Sequence, residues 1–210
     1  MVVMGIMPVR RFSPIWDSMK VRGYHTGVPL GNGVQGVLIW GQSSMLVTIA
    51  RAGFWDHRGG HGIPPATTLP SALEQPDDAA LAALFPARAA GTPFPQQMGG
   101  GRIEINFPAG LRPISATLDL ATAEVQVRVS RHEDDPEFQV LRLRQSAVGE
   151  VSWIETEPTF LAKLTLRLHP AFETVHQNAM GALGIAAPDG ANAGGGFVQS
   201  LPSDPALAVA

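Results

Sequence analysis

Gly31-Asn32-Gly33-Val34-Gln35-Gly36-Val37-Leu38-Ile39-Trp40-Gly41, followed by Met45-Leu46-Val47-Thr48-Ile49 and Phe54-Trp55-Asp56-His57-Arg58, is the stretch on which the fold turns. Two readings compete for it. Gly31-x-Gly33-x-x-Gly36 matches the fingerprint of a dinucleotide-binding turn, and Asp56 follows at the distance of a ribose-binding acid. That fingerprint needs a helix directly after the third glycine, because the helix N-terminus holds the pyrophosphate. Gly36 instead leads into Val37-Leu38-Ile39-Trp40, rich in residues that pack well on a pleated surface, and Gly41 stops the run. The stretch therefore reads as a glycine turn and a hairpin, Val34–Trp40 against Met45–Ala50 through Gly41-Gln42-Ser43-Ser44. An aromatic and charged loop comes after it.

Downstream, the same period of two recurs. Ile103, Ile105 and Phe107 alternate with Arg102, Glu104 and Asn106; Ile114, Ala116, Leu118 and Leu120 repeat the scheme. Val125, Val127 and Val129 alternate with Glu124, Gln126 and Arg128 after a tight reversal at Asp119–Thr122. Phe138–Arg144 slips phase at Val140-Leu141, which reads as a bulge. Val151–Thr156, Leu164–His169, Phe197–Leu201 and Ala206–Ala210 complete the series. Between His57 and Gly100 the alternation breaks, and one short helix is expected from about Asp77 to Phe85, started by Pro76 and the aspartates. Trp16 and Tyr24 read as anchors of an opening segment. Many short, half-apolar strands imply two packed layers. The fold class expected is all-β, a large antiparallel β-sandwich of supersandwich type spanning 1–210 as one domain. A long loop insertion at 57–100 carries the short helix.

Composition narrows the function classes. Charged residues make up only 16% against 45% hydrophobic, and the 23 glycines and 18 prolines lack a collagen period, so they read as turns between strands. A net charge of -3 leaves no basic footprint for nucleic acid. Cysteine is absent, which excludes disulfides, thiolate metal sites and cysteine nucleophiles and leaves the compartment open. Met1–Met7 is too short for a membrane span, and Arg10 and Arg11 follow it where a signal peptide would have basic residues first.

Taken in order, Val28-Pro29-Leu30-Gly31-Asn32-Gly33, Gly36–Gly41, Gly100–Phe107 and the Leu111–Ala123 hairpin with its Leu118-Asp119-Leu120 resemble the N-terminal domain of glycoside hydrolase family 95-like proteins. These are α-L-fucosidase relatives with an architecture close to family 65. Phe197–Pro202 resembles a later strand of the same domain. The resemblance implies a β-sandwich followed by an (α/α)6 barrel, and a periplasmic or extracellular location. It implies inverting hydrolysis of O-glycosyl bonds by an acid and a base that both lie in the barrel. No catalytic residue carries over to these 210 residues, so the chain alone is expected to be inactive, with no cofactor and no metal. The family's Leu-Asn-Glu before the tryptophan is here Ile49-Ala50-Arg51, and Asp56-His57-Arg58 replaces the Ser-Gly after it, which marks a divergent relative.

The expected partner is a carbohydrate, bound in a cleft shared with the C-terminal barrel; the alternative is a free-standing carbohydrate-binding module. Sugar sites join an aromatic face to planar polar groups that bond hydroxyls. Asn32, Trp55, Asp56, His57 and Arg58 supply those types and are the candidate substrate-binding residues. They also have a purely architectural reading: Asp56 and Arg58 as a local ion pair, Trp55 in the core, Asn32 in a left-handed turn. His57 and His61 stand four apart, as helical zinc ligands do, but Gly59, Gly60 and Gly62 oppose a helix there. Glu155 and Glu157 fall on one face of an expected strand, and Glu133-Asp134-Asp135 reads as a solvated turn.

Overall fold

The structure, a computed structural model, describes residues 27–59, 67–84, 92–93, 95–171, 180–181, 183–190 and 195–210. Trp16, Tyr24, His61 and Phe85, to which the sequence assigned roles, lie outside the described residues.

After β1 (Val28–Gly31), Asn32, Gly33 and Val34 reverse the chain into β2 (Gln35–Trp40), which pairs antiparallel from Val28↔Ile39 to Gly31↔Gly36. Gly36 is therefore followed by extended chain, and the dinucleotide reading has no helix to stand on. The next reversal depends on Gly41, whose φ of 132° is one that side chains avoid. A Cβ on Gly41 would lie 2.0 Å from the Ser44 carbonyl oxygen, so only glycine fits.

The returning strand β3 runs from Met45 to Asp56, six residues past the expected end at Ala50. It pairs with β4 (Gln96–Asn106), which pairs in turn with β9 (Thr165–His169), giving the order β1-β2-β3-β4-β9 in a five-stranded antiparallel sheet. The second sheet holds β5 (Arg112–Asp119), β6 (Glu124–Ser130), β7 (Gln139–Gln145) and β8 (Ser152–Glu155) in sequence order. β10 (Phe197–Gln199) and β11 (Leu207–Val209) form a separate antiparallel pair.

The expected sandwich is present. Its core joins Val28, Val37, Ile39, Met45, Val47 and Ile105 of the first sheet to Ala116, Val125, Val127, Val129, Leu141 and Leu143 of the second. Each large side chain among these is stabilised by about 1.5–3 kcal/mol relative to exposure. Phe160, on the one-turn helix α3 (Pro158–Leu161), closes one end by stacking on Phe107. A satellite cluster of Phe54, Met98, Ala171, Met180, Ile185, Leu201 and Leu207 ties the C-terminal segments to β3 and β4.

Several local expectations are corrected. The phase slip at Val140-Leu141 is not a bulge: β7 pairs with β6 in unbroken register, with Val140 opposite Arg128 and Leu141 opposite Val127. Phe138 lies outside the strand, beneath the Arg128 guanidinium at 4.6 Å from the ring centroid. The register shifts fall in β3 and β5 instead. In β5 the shift sits between Pro113 and Ser115, where proline cannot donate to the ladder. Glu157 is no strand partner of Glu155; it is the N-cap residue of α3. Asp135 is not solvated but buried, accepting the backbone N–H of Glu137.

The segment between β3 and β4 runs from His57 to Pro95, since β4 starts at Gln96, and its described residues include two helices where one was expected. α2 (Asp78–Ala83) matches the expected helix, with Asp77 as its cap. α1 (Leu69–Leu73) was missed, although Thr68 and Ser71 cap it reciprocally and Pro70 sits in its first turn. Among the described residues no helix is long and apolar enough to cross a membrane.

Candidate functional site

β3 is bulged between Ala50, which pairs with Gly99, and Trp55, which pairs with Gln97. Arg51, Ala52, Gly53 and Phe54 thus face a short piece of β4, and bulges of this kind re-aim the side chains beyond them. The Ala52 N–H donates to the Val34 carbonyl at 2.7 Å, and the Gln97 amide donates to the Arg51 carbonyl at 3.3 Å, so the bulge is held on both sides.

Beyond it the strand period divides four adjacent residues. Phe54 packs in the satellite core and Asp56 is buried on the same side of the strand; Trp55 is half-buried and His57 exposed on the opposite side. Trp55 and Asp56 are accordingly strand residues, not the loop residues expected.

The Asp56 carboxylate, fully buried, accepts from Arg58 at the backbone N–H (3.1 Å), Nε (3.0 Å) and Nη2 (2.9 Å). Arg58 also donates to the Leu183 carbonyl at 2.7 Å. The Arg58 hydrogen bonds hold the Asp56 carboxyl below the usual carboxylate range against the opposing effect of burial, and Asp56 raises the Arg58 guanidinium in return. Here the architectural reading holds. These two side chains pin the start of the insertion to the C-terminal region, and their hydrogen-bonding groups are turned inward.

Asn32 likewise binds protein. Its Oδ1 accepts the N–H groups of Val34 and Gln35, and its amide donates to the carbonyls of Ser146 (2.8 Å) and Gly149 (2.9 Å). It latches the β1–β2 turn to the β7–β8 turn across the two sheets. It is not left-handed: among the described residues Ala123 is the non-glycine residue with positive φ. Beside this latch, Arg51 forms a bidentate pair with Glu150 and raises its own basicity through it. A cleft of about 220 Å³ opens there, lined by Val37, Val47, Ile49, Ile103, Leu143 and Ile154 and bordered by Arg51, Glu150 and Trp153.

Trp55 and His57 remain on the surface. Their ring centroids lie 6.3 Å apart and their planes meet at 31°. The Trp55 indole N–H is satisfied internally by the Ala52 carbonyl at 2.7 Å, which fixes the ring. Two residues that sequence reasoning missed join them. Gln97 is opposite Trp55 in the ladder and exposed, so both side chains stand on one face. Asp204 arrives from far along the chain and bonds His57 at both its backbone N–H and its Nδ1.

No local pattern announces the Asp204 contact; the one hint is an aspartate placed just before Pro205 in the turn after Leu201-Pro202. Among the described residues no three metal-ligating side chains gather. The arrangement offers a fixed aromatic face, an imidazole edge and a carboxamide, which together can pack against and hydrogen-bond a polyhydroxylated ring.

Neither models of known protein families nor the curated proteins return a match to this chain.

Proposed function

We propose that this chain is the carbohydrate-facing β-sandwich domain of a glycoside hydrolase, shaping a sugar cleft completed by an (α/α)6 barrel that carries the catalytic acid and base. The observation that supports this best is the pairing of Trp55 and His57 at the sandwich rim, 6.3 Å between centroids, beside the Gln97 carboxamide. An indole face packs against the C–H side of a pyranose, while an imidazole and an amide answer its hydroxyls. The antiparallel sandwich and the family 95-like stretches around Gly31 and Leu118 agree with it.

A second reading, a free-standing carbohydrate-binding module, is favoured by one fact: Trp55, His57, Gln97 and Asp204 all come from this chain, so the face needs no partner to be complete.

Glycan-array binding by the purified 210 residues, repeated with Trp55→Ala, tests both. Binding lost on that substitution is expected, and binding indifferent to it, or none, refutes the carbohydrate role. Aryl-glycoside hydrolysis by the fragment separates the readings further. Turnover by the 210 residues alone would overturn the assignment of catalysis to a barrel. Several hundred residues of helical hairpins in the reading frame after Ala210 would favour the enzyme over the module.

A further inference from the structure

The Trp55 face has a polar neighbour whose hydrogen-bonding character the chain sets for itself. Asp204 lies between β10 and β11; its Oδ2 accepts the His57 backbone N–H at 2.8 Å, and its Oδ1 stands 2.7 Å from His57 Nδ1. The aspartate side chain is 13% exposed and the histidine side chain 65%, so the contact is sheltered while the far edge of the ring is open. The backbone and side-chain hydrogen bonds from His57 hold the Asp204 carboxyl below its usual range.

An ionised carboxylate only accepts, so the hydrogen between the two groups must reside on Nδ1. In a neutral imidazole the other nitrogen then carries a lone pair, and its role is fixed by the bond the first one makes. Nε2 has no hydrogen-bond partner among the described residues. It lies on the ring that neighbours Trp55, two residues apart on one face of the chain.

We infer that Asp204 is a positioning residue for ligand binding: it locks His57 as the Nδ1–H tautomer, so that Nε2 accepts a hydroxyl hydrogen from a neutral pyranose stacked on Trp55. The inference rests on the carbohydrate reading above and sharpens it, because it assigns the imidazole the acceptor's part and makes the ligand hydroxyl the donor.

The uniformly 15N-labelled 210-residue chain supplies the test, through long-range proton–nitrogen correlation of the imidazole in mildly alkaline buffer. Nδ1 is expected as the protonated, pyrrole-type nitrogen and Nε2 as the pyridine-type one. Adding the methyl pyranosides of galactose, glucose, xylose and fucose in turn is expected to move the Nε2 and Trp55 indole signals together for at least one of them.

Asp204→Asn must turn its amide oxygen to the His57 N–H and its NH2 to Nδ1, which inverts the tautomer. Nε2 is then expected as the pyrrole-type nitrogen, and a hydroxyl oriented to donate to it loses that bond, so the affinity for that glycoside falls about fivefold, the equivalent of one hydrogen bond of about 1 kcal/mol. His57→Phe keeps a ring beside Trp55 but removes the nitrogen, and it is expected to lose as much; it decides the matter if Asp204→Asn does not fold.

A pyridine-type Nδ1 in the unaltered chain overturns the inference. So does a glycoside whose binding needs Trp55 yet ignores both substitutions, and that result leaves the carbohydrate reading standing. If neither these glycosides nor any glycan of the array engages Trp55 in the unaltered chain, the carbohydrate reading itself fails, whatever the tautomer.

Discussion

Asp56 and Trp55 are neighbours in sequence, and replacing each with alanine should produce opposite phenotypes. Asp56 is fully buried and receives three N–H groups of Arg58, whose own side chain keeps 19% exposure. Removing one partner of a buried pair costs about 3–5 kcal/mol when the remaining charge has no other recourse. Arg58 does have recourse, to the Leu183 carbonyl and to some water, which places Asp56→Ala at the bottom of that range, about 3 kcal/mol.

Urea unfolding followed by tryptophan fluorescence reads this directly, since an unchanged m-value with a lower midpoint reports stability alone. The double variant Asp56→Ala/Arg58→Ala removes both charges. It should be less destabilised than the sum of the singles, with a coupling of about 2 kcal/mol, because no charge is left stranded. Glycan binding by folded Asp56→Ala should stay within twofold of the unaltered chain, whereas Trp55→Ala should keep its midpoint and lose binding. Additive single effects, or a midpoint shift worth less than about 1 kcal/mol, would refute the account of Asp56 as a buried structural charge.

Three further outcomes are expected from the same packing. Asn32→Ala deletes two cross-sheet hydrogen bonds and two turn bonds, partly exposed, and should lower unfolding stability by about 1–3 kcal/mol in urea titration. Gly101→Ala places a methyl 2.8 Å from the His169 carbonyl oxygen and 2.9 Å from the Phe197 ring at a φ of 120°, so the midpoint of thermal unfolding should drop by more than a conservative core change would cause. Stability should fall in acid: Asp56, Glu124, Asp135, Glu150 and Asp204 are all held below their ordinary range, so the unfolded chain binds more protons and the contribution, complete at neutral pH, drains away as pH drops through about 4 and below. A thermal midpoint that stays flat from neutral pH to about pH 3 would count against it. Asp56, Asp135 and Glu124, the least exposed of the five, should dominate; burial works against ionisation of Glu124, but Gln126 and Arg144 outweigh it.

The layers of the fold could be read because burial writes itself at period two. Val125, Val127 and Val129 are each fully buried, as their alternation required, and Ile105 is the middle of a row from Met45 to Leu166 across three strands. Leu166 shows where the reading stops: it points to the same side as Ile105 yet is 60% exposed, since β9 is the last strand of its sheet and alternation carries no information about what lies opposite. Bulge positions were misplaced for a related reason. Two adjacent apolar residues, Val140 and Leu141, imitate a phase slip, while the real slip in β3 is set by how Gly99–Gly101 of β4 lie against it, which is a property of the pair of strands.

The site was readable only as a list of residue types, because its geometry is decided by phase. Four consecutive residues, Phe54 to His57, alternate between core and rim once the bulge has reset the strand, so Asp56, one of the five candidates, is turned inward. Had the bulge held one residue more or fewer, Asp56 would face solvent and Trp55 the core. The bulge in turn is held by the Val34 carbonyl and the Gln97 amide, and Val34 is placed by the Asn32 turn. Asn32 therefore bears on the Trp55 face through the backbone, by fixing which side of β3 the tryptophan occupies. A glycine-rich turn that resembles a phosphate cradle in sequence serves here to set the register of an aromatic platform.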